Sequence, residues 1–321
     1  MSVMLVRILL RLIMRIFLKR PNRLFMYFRV ENAKLFLSNH NIKFTNLTLA
    51  NDPFELAIDY RQSMYDTNYK TYDGKDKEPT DEEIIKLGSE VMPKLSSYGV
   101  ACFTETDTNV LMWAYYAGSQ KGICFEFDTN EDPIFFQELH KVHYKNHFES
   151  IKEKDGMLDC FDIFTTKSIE WQHEREWRVI KENKAGQLFP VNPKAIKSVI
   201  FGYGYMDYRN VSEQTVQTNK DVLSLLQRPE YSHIRLKQIQ RGWREYRLEA
   251  KEVPFLLFEE GNQTVVVSFS NQRVIIEDIN KTTVYTADMI KWEYLYITLP
   301  VGTYNLHNPK CPSDIIKFSK Y

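Results

Sequence analysis

Apolar residues recur along this chain with two periods, and the alternation between them marks out its elements. From Val3 to Leu18 arginines stand at positions 7, 11 and 15 in an otherwise apolar run, which gives a helix one basic stripe. Residues 1–22 therefore read as a basic amphipathic helix that needs an apolar surface beneath it: its own domain, a partner chain, or a membrane surface. Its arginines make it too charged to span a bilayer. Arg23 to Val30 (RLFMYFRV) reads as a buried strand, and a short helix follows, stopped at Asn39 to Asn41. The run IKFTNLTLANDPFE is a strand entering a turn, because Asn51 and Asp52 bond their own backbone and Pro53 fixes the next φ. Helical spacing returns from Asp81 to Leu95. YGVACF (98–103) is a short buried strand, VLMWAYYA from Val110 is a helix stopped by Gly118, and KGICFEFD alternates as a strand.

Further strands are expected at Lys141 to Tyr144, Glu174 to Lys181 and Ser198 to Gly202. A helical connector is predicted over 221–250, and beyond it PFLLFEE, TVVVSFS, RVIIEDI, TVYTA and YLYITLP are strand-like runs separated by turn signals. The predicted class is α+β: a mixed or antiparallel sheet with flanking helices over 23–220, and a small antiparallel β domain at 251–321.

Composition narrows the function. Lys plus Arg and Asp plus Glu are equal, at 42 each, which argues against a surface built throughout for nucleic acid. Cys102, Cys124, Cys160 and Cys311 form no C-x-x-C pair, so they read as reduced thiols in a cytoplasmic protein. That protein is peripheral to the inner membrane if residues 3–18 bind lipid. His140, His143 and His147 would share a face on a helix, but on a strand His140 and His143 point apart, so no metal is expected. Ile234 to Arg247 reads as a basic helix interleaved with Trp243 and Tyr246, suited either to nucleic-acid phosphates and bases or to a solvated face.

Four clusters carry candidate chemistry. They are Tyr27 with Arg29; Asn51-Asp52-Pro53-Phe54-Glu55; Cys102 to Thr106 with Trp113 to Gly122; and Glu174-Arg175-Glu176-Trp177-Arg178. In order, MYFR, NDPFE, CFTET, WAYYA, QKG and EREWR across 23–205 resemble the motif series of a bacterial family, domain of unknown function 2971. More distantly, the layout is similar to the Arg, Ser-Thr-Ser, Glu-x-Glu plan of the ADP-ribosyltransferase superfamily, in which NAD is split between nicotinamide and ribose. That resemblance implies a split sheet, NAD as substrate, a dinucleotide-holding role for Arg29 with Tyr27, and a nicotinamide pocket at Thr104 and Thr106. Trp113, Tyr116 and Arg178 join the binding set. Glu176 becomes the catalytic carboxylate and Glu174 its accessory. Glu105, between the two threonines, departs from the superfamily pattern.

The spacing itself says that Glu174, Glu176 and Arg178, two apart on a strand, share a face, so two carboxylates converge. A carboxylate aimed at the positive charge that builds on ribose lowers the barrier to glycosidic cleavage. Against this stands a plain surface pairing of Glu176 with Arg178 and of Glu174 with Lys167, and a capping or loop-ordering role for Asp52 and Glu55. The expected function is an NAD-dependent transferase or NAD-cleaving enzyme, an antiphage or toxin effector with a protein or nucleic-acid acceptor. The alternative is a non-enzymatic recognition or sensor protein of a defence system, assembling through its C-terminal β unit.

Overall fold

The apolar runs build one large sheet, five of whose eight strands are buried on both faces. The structure is a computed structural model that describes residues 20–67, 78–205, 212–242 and 244–252, then residue 280 and the strands of the C-terminal part given below. The helix expected over 3–18, the run PFLLFEE and Trp243 lie outside the described residues. The chain divides into two compact units, 1–250 and 251–321.

In the first unit the strands of the large sheet are β1 (Arg23–Phe28), β2 (Gly99–Thr104), β3 (Ile123–Asp128), β4 (Leu139–Lys141), β5 (Glu176–Lys181), β6 (Ile196–Phe201), β7 (Arg235–Arg241) and β8 (Leu248–Glu252). Their order is β8-β7-β6-β3-β1-β2-β5-β4. The pairs from β6 through to β4 are antiparallel, whereas β6 and β7 run parallel. The helices are α1 (Val30–Asn39), α2 (Tyr60–Asp66), α3 (Asp81–Ser97), α4 (Val110–Tyr116), α5 (Phe161–Phe164) and α6 (Glu213–Leu226). A parallel pair cannot be closed by a tight turn, and α6 lies in the crossover from β6 to β7.

Local chemistry sets the helix ends. Thr80 and Glu83 form a reciprocal capping box at the start of α3, and Asn109 accepts the backbone N–H groups of Leu111 and Met112 at the start of α4. One face of the sheet is a phenylalanine layer: Phe103, Phe125 and Phe127 meet Phe36 of α1 and Phe136, with ring centroids 4.9 Å apart for Phe36–Phe125 and 5.2 Å for Phe103–Phe136. The opposite face is covered by Leu87, Val91 and Leu95 of α3 over Val100 and Ile180, and by Trp113 of α4 over Phe25, Cys124 and Ile200.

Two features depart from the expected plan. The helical connector over 221–250 is corrected: α6 ends at Leu226, and 235–241 is strand β7 inside the main sheet. Because β7 is buried on both faces, its sequence does not alternate as a half-exposed strand does, and its internal Lys237 is neutralised by Glu126 of β3 at 2.9 Å. The first unit therefore runs to residue 250 rather than ending near 220. The strand expected over Lys141 to Tyr144 is two short ones, β4 and His143–Lys145.

The main sheet is nearly severed between β1 and β2. Strand β1 pairs with β3 along its whole length, from Arg23↔Asp128 to Phe28↔Ile123, but meets β2 in register only at Phe25↔Thr104. Beyond that rung the two strands part.

The second unit is antiparallel. Strands β9 (Asn262–Phe269), β10 (Gln272–Asp278), β11 (Thr283–Met289), β12 (Glu293–Pro300), β13 (Tyr304–Asn308) and β14 (Cys311–Phe318) form a β9-β12 pair and a β11-β10-β13-β14 sheet. Among the described residues, no helix is long and apolar enough to cross a membrane.

Candidate functional site

The parted strands enclose a cavity of about 620 Å³, lined on one side by residues 25–28 of β1 and on the other by residues 100–104 of β2. Val100 exchanges both backbone hydrogen bonds with Thr45, each 2.9 Å long. Backbone groups on a strand alternate between its two neighbours, so the N–H and C=O of Cys102, two residues on, turn to the same side and face the gap.

At one end of the cavity lies a buried cluster of charge. Glu176 opens β5 opposite Thr104, and Arg178 follows opposite Cys102, so their side chains share a face. Arg178 is wholly buried and grips two carboxylates. Its Nη1 and Nη2 donate to Glu55 at 2.8 and 3.0 Å, and its Nε and Nη2 donate to Glu176 at 2.9 and 3.0 Å. Nη1 also donates to the Phe164 carbonyl at the end of α5. Lys167 comes from the short strand Thr166–Ser168, which pairs in parallel with His143–Lys145. Its ammonium lies 2.7 Å from Glu174, 3.5 Å from Glu176 and 3.7 Å from Glu55. Glu55 is delivered by the NDPFE turn, in which Asp52 accepts the Phe54 N–H at 2.9 Å.

Glu174 does not belong to the strand, contrary to expectation. It is the last residue of a 3₁₀ turn, Ile169–Glu174, and Arg175 then adopts a left-handed conformation at φ 46° before β5 begins. The two carboxylates still converge, because Lys167 draws Glu174 in from one side while Arg178 holds Glu176 on the other. The pairing of Glu174 with Lys167 is likewise not a surface one, since both side chains are buried.

Electrostatics separates the two acids. Burial and the negative charge of Glu176 push the Glu174 carboxyl above its ordinary range. Burial acts the same way on Glu176, but Arg178 and Lys167 outweigh it and hold that carboxyl at about 2. Three carboxylates face two cations here, so the cluster carries one excess negative charge when all are ionised, and Glu174 is the member that most readily takes up a proton. Tyr116 donates its hydroxyl to Glu174, Tyr144 accepts the Glu176 backbone N–H at 2.8 Å, and the Cys102 thiol bonds Glu176. Burial, followed by Glu176, raises the Cys102 thiol well above its usual value, which makes it a poor nucleophile.

Of the residues expected at the site, Tyr27, Thr104, Tyr116, Glu174, Glu176 and Arg178 all line the cavity. Arg29, Thr106 and Trp113 are not among its lining residues. Arg29 sits beyond β1, exposed at the N-cap of α1. The Thr106 carbonyl accepts the Tyr27 hydroxyl at 2.9 Å. Trp113 is fully buried, donates to the Asp107 carbonyl at 2.7 Å and meets Tyr27 edge-on, so it packs the core. The sequence placed Glu55 in a candidate cluster, as a capping or loop-ordering acid or as raw material for a carboxylate-bound metal, and Lys167 only as a surface partner of Glu174; it gave Tyr144 no role. The signal for Glu55 was the final acid of NDPFE. Among the described residues, no three His, Cys, Asp or Glu side chains are placed to hold a metal ion.

No curated protein and no solved structure matches this chain. Its motifs MYFR, NDPFE and CFTET precede the stretch where a family model does match. Over residues 112–179, which carry Tyr116, Lys167, Glu174, Glu176 and Arg178, the chain is similar to the family described as Protein of unknown function (DUF2971).

Proposed function

We propose that this chain cleaves the N-glycosidic bond of an NAD-type dinucleotide, releasing nicotinamide and passing the ADP-ribosyl group to water or to a protein or nucleic-acid acceptor. The observation that carries this reading is the buried cluster with its excess negative charge at one end of a ligand-sized cavity. As the bond from ribose C1′ to the pyridinium nitrogen breaks, its electron pair neutralises the nitrogen and positive charge passes to the ribose. A preorganised negative cluster in a dry pocket favours that change. As the bond breaks, the attacking oxygen closes on ribose C1′ and loses its proton to Glu174, a stronger base than an ordinary carboxylate because its pKa is raised. Glu176, ionised and locked by Arg178, supplies charge rather than proton transfer. Glu176 thus keeps the ribose-stabilising role that the resemblance implies, and Glu174 remains the accessory acid. Such an activity would suit an antiphage or toxin effector.

One observation favours a second reading, a non-enzymatic recognition protein: both oxygens of Glu176 are already engaged by Arg178, as in a purely structural ion pair. Incubation with NAD while free nicotinamide is measured separates the two. The wild type releases nicotinamide, and Glu174→Gln binds NAD but slows release about a hundred-fold or more, the usual scale of a general base. No release by the folded wild type, or an undiminished rate in Glu174→Gln, overturns the enzymatic proposal.

A further inference from the structure

The end of the cavity away from the charge cluster has a different chemistry. Helix α1 presents Asn32, Leu35 and Asn39 to the cavity, at spacings of three and four residues that form one stripe. Leu188, on the short strand Leu188–Pro190 that pairs with Asn41–Lys43, lines the same end. Leu35 and Leu188 are 60% and 61% exposed, and both asparagines are exposed as well. Among the charged residues lining the cavity, five belong to the buried cluster and the sixth is Lys43, next to Asn41 in the chain.

Exposed leucines on a cavity wall give apolar surface for the faces of a flat ring. A primary amide offers one donor and one acceptor side by side, which matches the N6/N7 edge of adenine in a bidentate pair. Lys43 adds a cation suited to a phosphate. We infer that this end of the cavity is a purine-base subsite, in which one asparagine of the α1 stripe, Asn32 or Asn39, reads the edge of an adenine whose faces rest on Leu35 and Leu188. The inference rests on reading the cavity as a dinucleotide site, and it names the residues that select the half of the ligand distant from the reacting bond.

The test compares two probes by calorimetric titration: ADP-ribose, which carries adenine, and nicotinamide mononucleotide, which does not. Wild type, Asn32→Ala and Asn39→Ala are measured. At least one variant is expected to bind ADP-ribose about ten- to a hundred-fold more weakly, the scale of one lost amide–base pair, with affinity for nicotinamide mononucleotide kept within about two-fold. The second probe also reports that the variant is folded. No ADP-ribose binding by the wild type, unchanged ADP-ribose affinity in both variants, or equal weakening of both probes would overturn the subsite. Asparagine-dependent ADP-ribose binding without nicotinamide release from NAD leaves the subsite standing and removes the proposed reaction. Release that is indifferent to both asparagines does the reverse.

Discussion

Replacing Arg178 with methionine keeps a long side chain in place but leaves Glu55 and Glu176 buried with no guanidinium between them. Arg178 makes four hydrogen bonds to those two carboxylates from a wholly buried position. Removing one member of such a buried pair costs about 3–5 kcal/mol, because an uncompensated charge stays behind. Linkage gives a similar size: a carboxyl held at about 2 rather than its ordinary 4.5 contributes about 3 kcal/mol to folding at neutral pH. Against a total stability of about 5–15 kcal/mol, the variant is marginal at neutral pH. The pH dependence has a definite sign. Since the folded pKa of Glu176 lies below the unfolded one, its contribution is complete above about 4.5 and is lost as pH falls toward 2. The gap between wild type and Arg178→Met should therefore be widest near neutrality and narrow in acid. Urea unfolding followed by circular dichroism at about pH 7, 5 and 3 measures it. A gap below about 1 kcal/mol at neutral pH, or one that persists undiminished in acid, would show that the cluster does not hold the fold as argued.

Tyr116→Phe removes a hydrogen bond that holds the Glu174 carboxyl down, so that carboxyl should titrate at still higher pH in a carbon-13 NMR titration, and the matching limb of the pH–rate profile should move with it. A titration that stays put would exclude Glu174 as the group tuned by Tyr116. Gly122→Ala would set a Cβ 2.2 Å from the Phe28 carbonyl oxygen and 2.8 Å from that of Ala117. Overpacking against backbone costs about 1–3 kcal/mol or more, so the melting temperature should drop by several degrees, and an unchanged value would mean that β1 and the K-G turn are not packed as described.

Strands β1, β2, β3 and β6 were legible because each is a compact apolar run bounded by turn or polar residues. Strand β7 was not, because its lysine is neutralised by Glu126, 111 residues earlier in the chain, and no local pattern reports such a partner. The role of Glu55 was hidden for the same reason: it meets Arg178 across 123 residues. The convergence of Glu174 and Glu176 was anticipated through a shared strand face, yet it arises from the turn at Arg175 and from Lys167. Trp113 sat in a motif beside Tyr116, and only the packing separates them. One ring fills the core while the other reaches the acid.

The lone rung between Phe25 and Thr104 has a consequence for how the first unit comes apart. In an unbroken sheet each strand's loss uncovers the next, and the whole melts together. Here the ladder from β8 to β1 and the ladder from β2 to β4 share one backbone pairing and are otherwise coupled through side chains. They are thus suited to behave as two foldons, with amide protons protected in two classes rather than one. A molecule lodged in the seam would bridge them and merge the two classes.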